Sequence, residues 1–242
     1  MNGDRAPVDL DDPLAVVGYG GDAVDAALDA RLTDALDGSA AAALVARLQT
    51  LQRALQAGKP REIRRGTGLI GRLLGRDVEA EAEARALQQR LGVLMTDTDR
   101  GAAALRTRVA AHHALQETLA GSIARIADRH RAARDWLDAN PLAGADAPAG
   151  GLAPRARLED RLAHLRTVQS TWELGARQLQ LLHQQHLDLL ARYQRIRDVL
   201  LPVWQQHALA LASTTGAAQA ATAADAQAAI ESEVAAMAAK LD

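Results

Sequence analysis

From Leu158 onward a seam residue recurs every seventh position: Leu158, Leu165, Trp172, Leu179, His186, Tyr193 and Leu200. A second column lies three residues on, through Arg161, Val168, Gly175, Leu182, Leu189 and Ile196, with polar residues filling the faces between. A 3.5-residue repeat held this long belongs to a helix that winds around another helix. A strand is ruled out here, since its side chains alternate with period two. The same repeat runs earlier in the chain. One seam passes through Leu91, Thr98, Leu105, His112, Leu119, Ile126 and Ala133, and the next through Met95, Ala102, Val109, Gln116, Ile123, His130 and Leu137. Together they predict a helix of roughly 60 residues, on the order of 90 Å long. Asn140-Pro141 stops it, and the run PLAGADAPAGGLAP reads as loop. Two long helices joined by one loop fold back antiparallel. A loop centred near residue 148 makes facing residues carry numbers that sum to about 296. That register sets His112 and His113 level with His183 and His186, and His130 near His164.

The rest of the chain supports an all-α fold. Aromatics are 2 % of the 242 residues and phenylalanine is absent, so a deep globular core lacks its usual large side chains. Ala, Leu, Arg and Gln suit thin helix-on-helix seams instead. Residues 1–20, acidic and broken by Pro7 and Pro13, read as a flexible tail. Residues 21–57 read as shorter N-terminal helices: Val24, Leu28, Leu32 and Leu36 behind an N-cap at Asp22, then Leu44, Leu48, Leu51 and Leu55. Residues 58–77 form a basic, glycine-punctuated linker, and 78–242 hold the hairpin plus a C-terminal helix. There Pro202 either opens a helix or kinks one, and a stripe resumes at Ile230, Val234, Met237 and Leu241. The expected architecture is a long antiparallel helical hairpin, or coiled coil, with shorter helices at each end.

Chemistry is harder to find. With no cysteine there is no thiol nucleophile, disulfide or zinc-thiolate site. Gly66-Thr67-Gly68-Leu69-Ile70-Gly71 has the spacing of a dinucleotide-binding loop, but no strand precedes it, so the spacing is coincidental. Nothing resembles a nucleophile elbow, and the expectation is a protein that is not an enzyme and takes no cofactor. His183 and His186, three apart on one helix, and His112 opposite them could ligate a metal. The stronger reading makes them polar layers of the seam. Arg64, Arg65, Arg72 and Arg76 of the linker are candidates for a partner or for weak attachment to an anionic membrane surface. A net charge of −2 argues against nucleic acid. With neither a signal sequence at the N-terminus nor a membrane-length apolar run, the expected location is the cytoplasm, peripheral to the membrane at most.

Two segments carry a resemblance. Leu200-Leu201-Pro202-Val203-Trp204-Gln205-Gln206-His207 resembles the Pro-x-Trp-x-x-Gln-like segment that follows a long helix in the toxic anion resistance (TelA/KlaA) family. Gly68-Leu69-Ile70-Gly71-Arg72-Leu73-Leu74-Gly75-Arg76 is similar to that family's glycine-rich segment, with Ile70 and Leu74 where phenylalanines are usual. The resemblance spans about residues 60–242. It implies a non-catalytic protein linked to tellurite resistance and envelope stress, acting through a protein partner or self-association. The alternatives are a structural coiled-coil subunit of a larger assembly, and a metal- or oxyanion-binding protein built on clustered histidines.

Overall fold

A computed structural model describes residues 6–57, 76–141, 143–145, 153–213 and 217–241. Among the described residues there is no strand, and the fold is all-α. Helix α1 is Pro13–Gly18, α2 is Ala27–Ala35 and α3 is Ser39–Ala57. The two long helices follow, α4 at Arg76–Ala139 and α5 at Pro154–Arg195. A π-turn at Ile196–Leu200 leads into α6, Leu201–Ser213, and α7 is Ala217–Ala238. Most of the linker, 58–75, lies outside the described residues, and so does the Gly66–Gly71 spacing. No described helix is long and apolar enough to cross a membrane.

Structurally the chain divides differently from the linear scheme of tail, N-terminal helices, linker and hairpin. One compact unit is 1–36 with 111–182, and the other is 37–110 with 183–242. Each takes part of both long helices and its own share of the shorter ones, so each encloses a separate core.

In the first unit, residues 111–139 of α4 and 154–182 of α5 form a hairpin. Leu119, Ile126, Ala133 and Leu137 on one helix, and Leu158, Leu165, Trp172 and Leu179 on the other, are fully buried or nearly so. These are the heptad positions. Arg155 closes the turn, donating to the carbonyls of Leu137 and Asn140 at 3.3 and 3.0 Å, carbonyls the helix end leaves without an internal donor. Gly144 sits at φ +65°, a left-handed conformation that glycine adopts without strain, and its carbonyl accepts from Arg155 N–H at 3.0 Å.

Part of the expected tail is ordered. Asp12 accepts from Leu14 N–H and Pro13 stands at the start of α1, where its missing N–H costs nothing. Val16 and Tyr19 are buried, the Tyr19 hydroxyl donates to Arg129 O at 2.8 Å, and Arg161 Nε donates to Tyr19 O at 2.8 Å. These anchors hold residues 13–19 where proline and acidic residues alone suggest a loose end. Asp22 is not the cap of α2. It pairs with Arg129 at 2.7 Å, and Asp25 accepts from Ala27 N–H in its place. Helix α2 packs closely on α5 because position 175 is glycine: a Cβ there would overlap Leu32.

The second unit gathers α3, residues 76–110 of α4, the end of α5, α6 and α7 around one core. Leu44, Leu48, Leu51 and Leu55 of α3 meet Leu91 and Leu105 of α4, Tyr193 and Ile196, and Ile230, Val234 and Met237 of α7. Polar ties close its surface: Glu233 accepts from Arg192 at 2.6 Å and Arg195 at 2.9 Å, and Lys240 meets Asp188 at 2.6 Å. The hydrogen bonds from Lys240 and then Arg192 hold the Asp188 carboxyl below the usual range. Its contribution to holding α7 is therefore present above about pH 4 and lost as acid protonates it.

Pro202 explains the π-turn. A proline cannot donate to the carbonyl four residues back, and its ring crowds that carbonyl. The chain widens by one residue, and Leu201 N–H donates to Ile196 O instead. The extra residue moves the seam: Leu200 is only half-buried, whereas Leu201 and Trp204 are each 3 % exposed. The heptad column thus ends at Tyr193 and Ile196.

Candidate functional site

The histidines that the register sets level with one another have distinct surroundings. His112, in the first unit, is fully buried, and its Nε2–H donates to Ala35 O at 3.0 Å. Ala35 ends α2, so the imidazole satisfies a last-turn carbonyl. His183 and His186 belong to the second unit, the former half-buried and the latter fully buried on the Tyr193 column. His113 is exposed beside Glu117, at 3.8 Å. Among the described residues, no group of three or more His, Asp or Glu side chains is placed to hold a metal ion. Of the linker cations, Arg64, Arg65 and Arg72 lie outside the described residues, and Arg76 is described only as the first residue of α4.

The expected register holds in the second unit, where the Tyr193 hydroxyl donates to Asp99 and Arg197 Nε donates to the same carboxylate at 2.8 Å. Arg106 lies 5.9 Å over the Tyr193 ring. Burial, then the bond to Asp99, pushes the phenol well above its ordinary pKa, so it stays a donor. This is a part-buried tie between α4 and α5, anchored by the fully buried Tyr193.

A charged cleft lies in the first unit. Its volume is about 260 Å³, and it is lined by Ala127, His130, Arg131, Arg134 and Asp135 of α4 and by Arg166 and Gln169 of α5. Residues 127, 130, 131 and 134 share one helix face, spaced as neighbours over two turns. Arg131 bonds Asp128 at 3.0 Å, and Arg134 stands 3.8 Å from Asp138, both pairs in solvent. Arg166 pairs with no acid among the described residues. Its Nη1 donates to Gln169 Oε1 at 3.3 Å, and Gln169, nearly buried, passes its amide to Glu173 at 2.7 Å. Three guanidiniums and an imidazole thus line the cleft with one carboxylate, Asp135, while Asp128 and Asp138 pair with Arg131 and Arg134 outside the lining. Partial burial first, then Arg166 and Arg134, hold the His130 pKa below its ordinary value.

The register pairs His130 with His164 across the seam. His164 is exposed and does not line the cleft. Arg166 lines it instead, and the register summing to about 296 puts it directly opposite His130. A search for opposed cations in that register would have found it.

No established family model matches the chain, and no solved structure matches it. Among curated proteins it is similar to Protein KlaA of Escherichia coli, 30 % identical over 217 residues that cover 88 % of this chain and 84 % of KlaA. Similarity of that extent takes in α3, both long helices and the Pro-Trp segment together, and the chain belongs to the KlaA family, within the TelA-like group that its own Pro-x-Trp segment resembles.

Proposed function

We propose that the chain is a non-catalytic helical protein of the toxic anion resistance type, linked to tellurite resistance and envelope stress, and that it acts by contact with another protein. The similarity to KlaA supports the toxic anion resistance type. The contact reading is carried by one observation. On the outer face of α5, within the first unit, Leu174 is 58 % and Leu181 is 68 % exposed. They lie seven residues apart, so both face the same way. Single exposed leucines are ordinary, but two aligned on a helix whose inner column is already filled by Trp172 and Leu179 offer a ready apolar stripe.

Capture from cells that express the chain natively tests this. The double variant Leu174→Asp/Leu181→Asp should keep its helical signal and melting behaviour, since neither side chain is buried. It should retain at most about a tenth of the captured partner, a loss of roughly 1.4 kcal/mol of binding. Undiminished capture by the folded variant would remove the stripe from the contact. A sedimentation run on the purified chain identifies the case in which the partner is a second copy.

A further inference from the structure

We propose that the cleft between α4 and α5 at His130, Arg134 and Arg166 is a binding site for a phosphate-class oxyanion, free or as a monoester. The chemistry is set by the donors. A guanidinium presents a planar fork of N–H groups that matches the oxygens of phosphate or sulfate, and it stays charged at every relevant pH. Arg134 and Arg166 come from opposite helices and both line the cleft, so cations reach it from two sides. Arg131 adds a third charge, held at 3.0 Å by Asp128. Asp135 is the opposing group.

Two observations separate this cluster from an ordinary solvated helix face. Arg166 is tethered by Gln169, a side chain only 5 % exposed that is itself oriented by Glu173. A cation positioned by a neutral amide, with no acid of its own among the described residues, keeps its charge available to a ligand. His130 is half-buried in the same cleft, and burial first, then the charges of Arg166 and Arg134, disfavour its proton. An anion there would cancel that repulsion and draw the proton on, so ligand and proton bind together. The charges facing His130 are Arg131, Arg134 and Asp135 from its own helix and Arg166 from the opposing one. Of these only the imidazole titrates between about pH 5 and 8.

The test uses the full chain with inorganic phosphate, glycerol phosphate and sulfate, followed by calorimetry and by the His130 ring signals in NMR. One anion per chain should bind, moving the His130 titration to higher pH. Arg134→Gln with Arg166→Gln should weaken binding by about tenfold or more. Arg31→Gln with Arg177→Gln, which removes the same charge elsewhere, should change it less than about threefold. Asp135→Asn should tighten it. Sulfate remains a dianion throughout, so its affinity should rise as falling pH puts the proton on His130, and His130→Gln should flatten that rise. Tighter binding of glycerol phosphate than of inorganic phosphate assigns the site to an ester, and the reverse assigns it to the free ion. Equal losses in the cleft and control double variants would show general charge attraction and overturn the site. So would an unmoved His130 signal, and neither result depends on whether a protein partner is captured.

Discussion

Leu119→Asp, or Leu179→Asp, is expected to destabilise the first unit by on the order of 4 kcal/mol, because each buries an unpaired carboxylate where an apolar side chain was. Both leucines are fully buried in one core with Ile126, Leu165 and Trp172. In a chain of this size the loss should lower the melting temperature by about 10 °C, followed by circular dichroism. Leu174→Asp, on the same helix but 58 % exposed, should stay within about 0.5 kcal/mol of the parent. A Leu179 variant as stable as the Leu174 variant would mean that the inner column is misassigned.

Trp172→Ala should cost about 3–5 kcal/mol, the ordinary range for emptying a tryptophan site in a core. The side chain is 1 % exposed, and its indole Nε1–H donates to Asp29 Oδ1 at 2.7 Å, tying α5 to α2. Trp172→Phe separates the two contributions: it keeps most of the volume and should lose only about 1–2 kcal/mol with the hydrogen bond. Urea unfolding measures both, and a Trp172→Ala variant within 1 kcal/mol of the parent would show that α2 does not rest on this residue.

The two long helices were legible because their apolar seams repeat over many turns. Leu91, Thr98, Leu105, His112, Leu119, Ile126 and Ala133 were assigned to one column by spacing alone, and all seven are fully buried. Short-range conflicts were less readable. The residues at 13–19 carry a proline and a glycine, so local composition suggests a tail, while the contacts that order them come from Arg129 and Arg161, more than a hundred residues away. Local sequence lets Pro202 either start a helix or kink one. The π-turn combines both, and its one-residue shift buries Leu201 and Trp204. The division into two units was hidden, because the heptad columns run on through the boundary in both helices.

The candidate site shows the same limit. Spacing along the seam sets histidine level with histidine, but spacing does not say what each imidazole touches. His112 turned out to serve the end of α2, a role set by where a separate helix stops. The cleft depends on two cations from different helices, Arg134 and Arg166, which line it together with His130. Only the register across the hairpin brings them together, and each in isolation looks like a surface residue.

Survival of tellurite challenge tests the central claim, that the chain protects through a protein contact made by a non-catalytic helical surface. Cells deleted for the gene would be complemented with the parent chain or with Leu174→Asp/Leu181→Asp, each checked for equal abundance and helical signal. The parent should restore growth, and the double variant should leave the cells as sensitive as the deletion. Full protection by the folded double variant would contradict the account, because activity would then be independent of the exposed stripe on α5.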